Sequence, residues 1–471
     1  MTPEGCAIST NEAFPLEIYD LILWHLELES HDRKAEDARN EGSTLAKCLL
    51  VSKTFCHISR RILFKSIRLS SARMKNRDFK ERVSTLVDIM SPKIGQGILS
   101  YIHSFIFHSS VYKFFDHPET PAIQILNDES FITMMTLFRG PDSNLQEFMA
   151  WTFPRVDWNC LSADFHREFR LLCRSLHLTT LDMSGFYNLP QLFFHGTHLK
   201  TLRLFQVPHL EPRPLLTSTP PTLLEEEFSC TPPYLRCLDT NYSIPDDLYP
   251  ITSLSFLKVL ASRMDQPERM NWTWTLLQNC QKSIEDLTLN LKGTITGYFI
   301  IEHISLLNYP GTWPMPIALF DFGLLSNLSS LNIEHDLLLL GSTTLDGPEV
   351  ALNQIAGLLK FPTPLHFLRS VGVKFYVDVM QPIHGLTYVT SLITSANWLL
   401  VDEALSHDRF HALKDATISL EVDTSHKGGF GTLADEAQGL LRQKFPSLSS
   451  SKAIKSTFKV ELRSFCSQHD A

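Results

Sequence analysis

The chain lacks any apolar run of the roughly 18 residues that a membrane-spanning helix requires, and Leu337–Leu340 falls far short. A secretory leader is not expected either, because Glu4, Glu12 and Glu17 punctuate an N-terminal stretch with no apolar run of leader length. Closely paired cysteines are absent. The nine present, Cys6, Cys48, Cys56, Cys160, Cys173, Cys230, Cys237, Cys280 and Cys466, are scattered, which fits neither a disulfide scaffold nor a zinc site and reads as reduced, mostly buried thiols. A cytoplasmic or nuclear protein is the expectation, so the sequons at Asn241, Asn271 and Asn327 are read as chance. Excess positive charge is absent as well. A net charge of −9 and a pI near 6.1 give no attraction to phosphate backbones or anionic lipid, so no nucleic acid and no membrane is expected as partner. The densest basic stretch, Arg68 to Arg82, is interrupted by Asp78 and Glu81 and reads as a solvated helix face.

The signatures of common chemistry are equally scarce. Gly95-Gln96-Gly97 has neither the third glycine nor the flanking strand of a dinucleotide loop, and no phosphate-loop lysine pattern occurs. His195-x-x-His198 lacks the glutamate of a zinc-protease helix. There is no G-x-S-x-G elbow. Cys56-His57 falls inside an expected helix, which favours a structural role, and the carboxylates Asp246-Asp247 and Glu285-Asp286 are sequence neighbours that cannot face each other for acid–base work. No enzyme, no cofactor and no metal is expected.

What is present is the composition of a folded protein, with 44% hydrophobic and 20% charged residues. At 471 residues it is too long for one compact core, so several domains or an extended array are expected. Thirty-one phenylalanines are assigned mostly to the core, and Trp151, Trp158, Trp272 and Trp274 are the aromatics whose exposure would mark a recognition surface.

A loose L-x-x-L-x-L pattern recurs along the later chain. Leu178-Leu181-Met183 and Leu199-Leu202-Leu204 are the clearest copies, 21 residues apart. Weaker copies are Leu235-Leu238, Leu257-Leu260, Ile284-Leu287-Leu289, Leu328-Leu331-Ile333, Leu368-Val371-Val373 and Leu413-Ile418. Alternation makes each a short strand with one apolar side, and parallel stacking of neighbours would build a continuous core. Helices are expected between strands at Met270–Gln278, Glu349–Lys360 and Ser391–Leu405. The asparagine of regular leucine-rich repeats is missing, with Phe186, Val207, Lys292 and Asp336 in its place, so irregular repeats are expected. Pro208–Pro221, Thr231-Pro232-Pro233, Gly428-Gly429-Phe430-Gly431 and the Ser447–Ser451 run read as exposed loops.

Near the start, Pro15 opens a helix with Glu17 in its first turn, and Ile18, Leu21, Ile22 and Leu26 form a stripe along it. Ser43 or Thr44 can cap a second helix carrying Leu45, Cys48, Leu49 and Val51. A third is expected from about Phe55 to Leu63, followed by extended Ser66–Leu69. So small a unit cannot bury all its apolar side chains, and the surplus calls for a partner or for the rest of the chain.

Phe14-Pro15-Leu16-Glu17-Ile18, Cys48-Leu49-Leu50-Val51-Ser52-Lys53-Thr54-Phe55 and Arg60-Arg61-Ile62-Leu63-Phe64-Lys65-Ser66-Ile67 resemble the F-box, in the F-box-like form of large fungal families. Thr180–Phe186 and Asp402–Leu405 resemble later segments of the same proteins. The resemblance implies an α/β architecture: an F-box-like three-helix module at 12–68, linking helices and first irregular repeats at 69–170, and an irregular leucine-rich-repeat solenoid at 171–465 with parallel strands and helices on the convex side. It also implies an adaptor of an SCF-type ubiquitin ligase, which binds the linker subunit, and through it a cullin, while the repeats hold a target protein. Carried over by position, Phe14, Pro15, Leu16, Ile18, Leu21, Ile22, Cys48, Leu49, Val51 and Phe55 would contact the linker. Family members usually have leucine at the position of Phe14, and the loop Glu27–Gly42 is longer here than in most. The alternative is an interaction scaffold whose F-box-like segment packs against its own repeats.

Overall fold

A computed structural model describes residues 53–71, 76–90, 97–110, 121–190, 193–205, 234–241, 254–264, 267–291, 320–338, 346–379, 385–424 and 431–464. Packing divides the chain into two units: Met1–Phe153 with Leu161–Leu172, and Pro154–Cys160 with Cys173–Ala471.

In the first unit, α1 (Lys53–Leu63) leads into β1 (Ser66–Ser70), which matches the helix and extended segment expected there. The two earlier helices expected within 12–52 lie outside the described residues. Next come α2 (Asn76–Met90), β2 (Ser104–Ser110), α3 (Pro121–Leu126), α4 (Glu129–Phe138), β3 (Glu147–Asp157) and α5 (Ala163–Cys173). β1, β2 and β3 are parallel, with Phe105 in register with both Ile67 and Phe148. Of the basic stretch, Arg77, Lys80 and Arg82 fall on α2, where Lys80 reaches the α4 capping residue Asp128 at 2.9 Å.

Phenylalanine fills this core. Phe105 packs against Phe138 and Phe148 at 5.0 and 5.5 Å between ring centroids, Phe107 against Phe79 and Phe131, and Phe169 against Phe148 and Phe165. All of these rings are buried, and each contributes roughly 1.5–3 kcal/mol by leaving water. One charge is buried with them: Glu168 accepts from Thr136 at 3.0 Å and pairs with Arg139 and Arg167 at 2.9 and 3.0 Å. Burial works against its charge, but these donors prevail and hold its carboxyl below the ordinary range.

Among the described residues of the second unit nine parallel strands follow one another in chain order. They are β4 (Thr180–Tyr187), β5 (Thr201–Phe205), β6 (Cys237–Thr240), β7 (Val259–Arg263), β8 (Asp286–Asn290), β9 (Ser330–Leu338), β10 (Ser370–Val379), β11 (Asp415–Thr424) and β12 (Lys455–Ser464). The eight repeat copies read from the sequence supply β4 to β11, and the register stacks their apolar residues into rows. Leu181, Leu202, Leu238, Leu260, Leu287, Leu331 and Val371 form one row, fully buried.

A second row runs Met183, Leu204, Thr240, Ser262, Leu289, Ile333, Val373 and Ile418. The copies Leu235-Leu238 and Leu257-Leu260 have a hydroxyl in this row, and buried Ser262 meets Thr273 at 2.7 Å, which satisfies both. β4 departs from strict alternation at Gly185, whose φ of 81° lies in the left-handed region and turns Phe186 inward where regular repeats have asparagine.

From β7 onward, the described helices lie on the apolar face of the strands. They are α6 (Pro267–Asn279), α7 (Asp346–Leu358), α8 (Gly385–Ser395), α9 (Leu399–Leu405), α10 (Gly431–Gln443) and α11 (Pro446–Ser450). Thr273 of α6 meets β7, Gln354 of α7 meets His335 of β9 at 3.2 Å, and Trp398 lies against Phe375 of β10 at 5.1 Å.

Two expectations need correction. Ser391–Leu405 is not one helix but two, because Trp398 turns into the core, packs on Phe375 and Phe445, and donates from Nε1 to the Leu392 carbonyl at 3.4 Å. Ser447–Ser451 is not a loop over most of its length, since α11 spans Pro446–Ser450 with Leu448 buried. Fully buried Asp402 accepts from the amides of Ser447 and Leu448 at 2.9 and 3.0 Å and so caps that helix. Among the described residues no helix is long and apolar enough to cross a membrane.

Candidate partner-binding surfaces

Nine of the ten residues expected to contact a ligase linker, Phe14, Pro15, Leu16, Ile18, Leu21, Ile22, Cys48, Leu49 and Val51, lie outside the described residues. The tenth, Phe55, falls in α1. The polar loop Glu27–Gly42 and the Pro-rich stretches Pro208–Pro221 and Thr231–Pro233 also lie outside them.

Alternation places every other side chain of β4–β12 away from the helices. One outward row reads Asp182, Arg203, Asp239, Ala261, Thr288, Asn332 and then Gly372. Gly372 leaves room there for the Asn332 side chain, since a Cβ would stand 2.3 Å from Asn332 Oδ1 and force that amide to move. Burial pushes the Asp239 carboxyl up from 3.8 to about 6; Arg203 opposes the rise, and Asp182 and Glu334 add to it. Further along, Lys374 pairs with Glu421 and sits 4.5 Å from the Tyr376 ring. Burial opposes the charge of Lys374, yet Glu421 and Tyr376 together hold its pKa above the ordinary value. Burial also raises the Tyr376 phenol. This ion cluster carries no sequence motif, since its members come from separate strands joined only by register.

None of the four tryptophans singled out is exposed: Trp158 is buried and Trp151, Trp272 and Trp274 are half-buried. Among the described residues the exposed aromatics are instead Tyr234, Phe256 and Phe367, at 69%, 59% and 57%. Each immediately precedes the first leucine of its repeat, a position that alternation alone points outward. Tyr234 and Phe256 lie 5.3 Å apart, edge to face.

Before β10 and β11 the same edge of the strands holds an open groove of about 660 Å³, floored by Phe361, Pro362 and Pro364. Lys360, His366, His407, Asp408, Arg409 and His411 line it. The His366 and His411 rings, at equivalent positions of neighbouring repeats, share a 3.3 Å hydrogen bond, and Arg409 donates to the Phe361 carbonyl at 2.8 Å.

The remaining candidates for chemistry resolve into structure. Gly97 is a glycine because a Cβ there would lie 2.6 Å from the Met90 carbonyl oxygen. His195 is half-buried and His198 exposed, and among the described residues no three His, Cys, Asp or Glu side chains are placed to hold a metal. Burial raises the Cys173, Cys237 and Cys280 thiols, the last to about 12, opposite to the shift that activates a nucleophile. Glu285 forms a half-exposed pair with Lys258 at 2.5 Å, and Asp246-Asp247 and the side chains of Cys56-His57 are not described. A strand order that never reverses also offers no switch-point crevice within the second unit. Against known proteins, no family model, no curated protein and no solved structure matches the chain.

Proposed function

We propose that the chain is a substrate-recruiting adaptor of an SCF-type ubiquitin ligase. Residues 12–68 would bind the linker subunit as a three-helix F-box-like module, and the second unit would act as an irregular leucine-rich-repeat solenoid, helices convex, that holds a target on its strand side. The observation that carries the target-binding half is the stacking of eight degenerate repeats into register, with a broad polar face turned away from the helices. The ligase half rests on the three F-box-like segments of the sequence. The contribution to ubiquitin transfer would be effective concentration, with no bond made by the adaptor.

The test is co-purification of the full chain with the linker subunit, comparing wild type with the double variant Pro15→Ala, Leu16→Ala. Loss of the linker with unchanged thermal unfolding is the expected result, since buried anchors of this kind carry roughly 1–3 kcal/mol each. Undiminished recovery of the linker by the variant, or none by wild type, refutes the ligase reading and leaves an interaction scaffold.

A further inference from the structure

The residue following the first leucine of each repeat forms a row along the edge where the second unit's strands begin. Backbone hydrogen bonds join its members one to the next: Arg236 to Lys200, Lys258 to Arg236, Glu285 to Lys258, and, beyond Ser329, Lys414 to Arg369. Five of these residues are cations and one is a carboxylate. Lys200, Arg236, Lys258, Arg369 and Lys414 are all exposed. Lys258 is held by Glu285 at 2.5 Å, while the other four have no ion-pair partner among the described residues. In sequence successive cations of the row stand 22 to 111 residues apart, so no basic run betrays them. Register alone brings them together, in a chain whose net charge is −9.

Two features border this row. Tyr234 and Phe256, largely exposed, each lie two residues before a row cation, Arg236 and Lys258. At the other end, Phe367 precedes Arg369, and the groove before β10 and β11 adds Lys360 and Arg409 against the single carboxylate Asp408. Like charges gathered on one edge repel one another and favour an anionic occupant.

We propose that this edge docks an acidic, extended polypeptide segment of the target, laid across the strand starts from Lys200 toward Lys414. At about 4.8 Å between strands the row spans about 29 Å, which is the length of about nine extended residues. Its carboxylates meet the cations, and apolar side chains among them lie on Tyr234, Phe256 or Phe367. A nucleic-acid strand is the less suitable occupant. Successive bases stack on parallel aromatic faces, whereas Tyr234 and Phe256 stand at 76° to each other, and the chain's overall charge opposes a phosphate polymer. The inference rests on the target-binding half of the reading above and names the chemistry of the target.

The experiment is fluorescence anisotropy of the full chain with a labelled nine-residue peptide of alternating aspartate and glutamate at low salt, with nonameric oligothymidylate as the second probe. Wild type is expected to bind the peptide in preference to the oligonucleotide and to release it as salt rises. Lys200→Glu with Arg236→Glu, and Arg369→Glu with Lys414→Glu, each weaken binding at least tenfold, while Lys459→Glu, an exposed cation away from the row, changes it less than twofold. Matching alanine pairs, weakening in the same order, separate lost attraction from misfolding. Absence of peptide binding by wild type, an equal loss from Lys459→Glu, or tighter binding of oligothymidylate overturns the proposal. None of these readouts involves residues 12–68, so failure to hold a ligase linker and failure to bind the acidic peptide are separate results.

Discussion

Phe105 and Leu287 are both fully buried in parallel sheets, yet their neighbourhoods differ in kind. Phe105 of the first unit touches rings from a helix and from an adjoining strand, Phe138 and Phe148, which in turn reach Phe169 and Phe165. Leu287 of the second unit stands in a row between Leu260 and Leu331, each from the next repeat. A core of interlocking aromatics spreads a local loss through the whole unit, whereas a ladder passes it only to its neighbours. The first arrangement suits a rigid body. The second suits a binding surface, because outward residues can vary from repeat to repeat while the inward rows stay apolar.

The largest expected effect follows from that contrast. Phe105→Ala should cost about 3–5 kcal/mol and raise hydrogen exchange across β1, β2, β3 and α4 together. Exchange confined to β2 would show that the aromatic cluster is not one cooperative unit. Leu287→Ala should cost about 2–4 kcal/mol and raise exchange chiefly in β7, β8 and β9, whereas uniform loosening from β4 to β12 would break the ladder picture.

The outward face supplies the next prediction. The folded-state pKa of Asp239 is raised to about 6 against 3.8, so the native chain binds a proton that the unfolded chain releases. This carboxyl therefore erodes stability as pH rises from about 4 through 6. Asp239→Asn should accordingly stabilise by roughly 1–3 kcal/mol at pH 8, with the gain vanishing below about pH 4. A pH-independent difference in urea midpoint would contradict the assignment. Glu168 in the first unit has the opposite sign, its lowered pKa giving stability at neutral pH that is lost as pH falls through the folded value.

The smallest effect belongs to a local joint. Asp402→Ala removes the cap of α11 and should cost about 1–2 kcal/mol, with exchange rising at Ser447 and Leu448. Asp402→Asn, which keeps an acceptor, should recover part of the loss.

How far the sequence was legible follows the same division. The repeats of the second unit were readable because L-x-x-L-x-L states strand, face and register at once, even where Thr240 and Ser262 stand in for leucine. β12 escaped that pattern, with Ser456 where neighbours place Ala416 or Val371. Trp398 and Asp402 broke expectations because their roles depend on residues about 45 positions away, Phe445 and Ser447. In the first unit no periodic pattern announced the phenylalanine cluster, since its rings come from separate helices and strands. The cationic edge was invisible for a related reason: its members are adjacent only in register.

The measurement bearing most directly on the account is hydrogen exchange of the full chain alone and mixed with the ligase linker subunit. The adaptor reading predicts a stoichiometric complex with new protection within residues 12–68 and exchange in β4–β11 unchanged, since those strands are kept for the target. No complex, or protection that appears on the strands instead of the N-terminal segment, contradicts it.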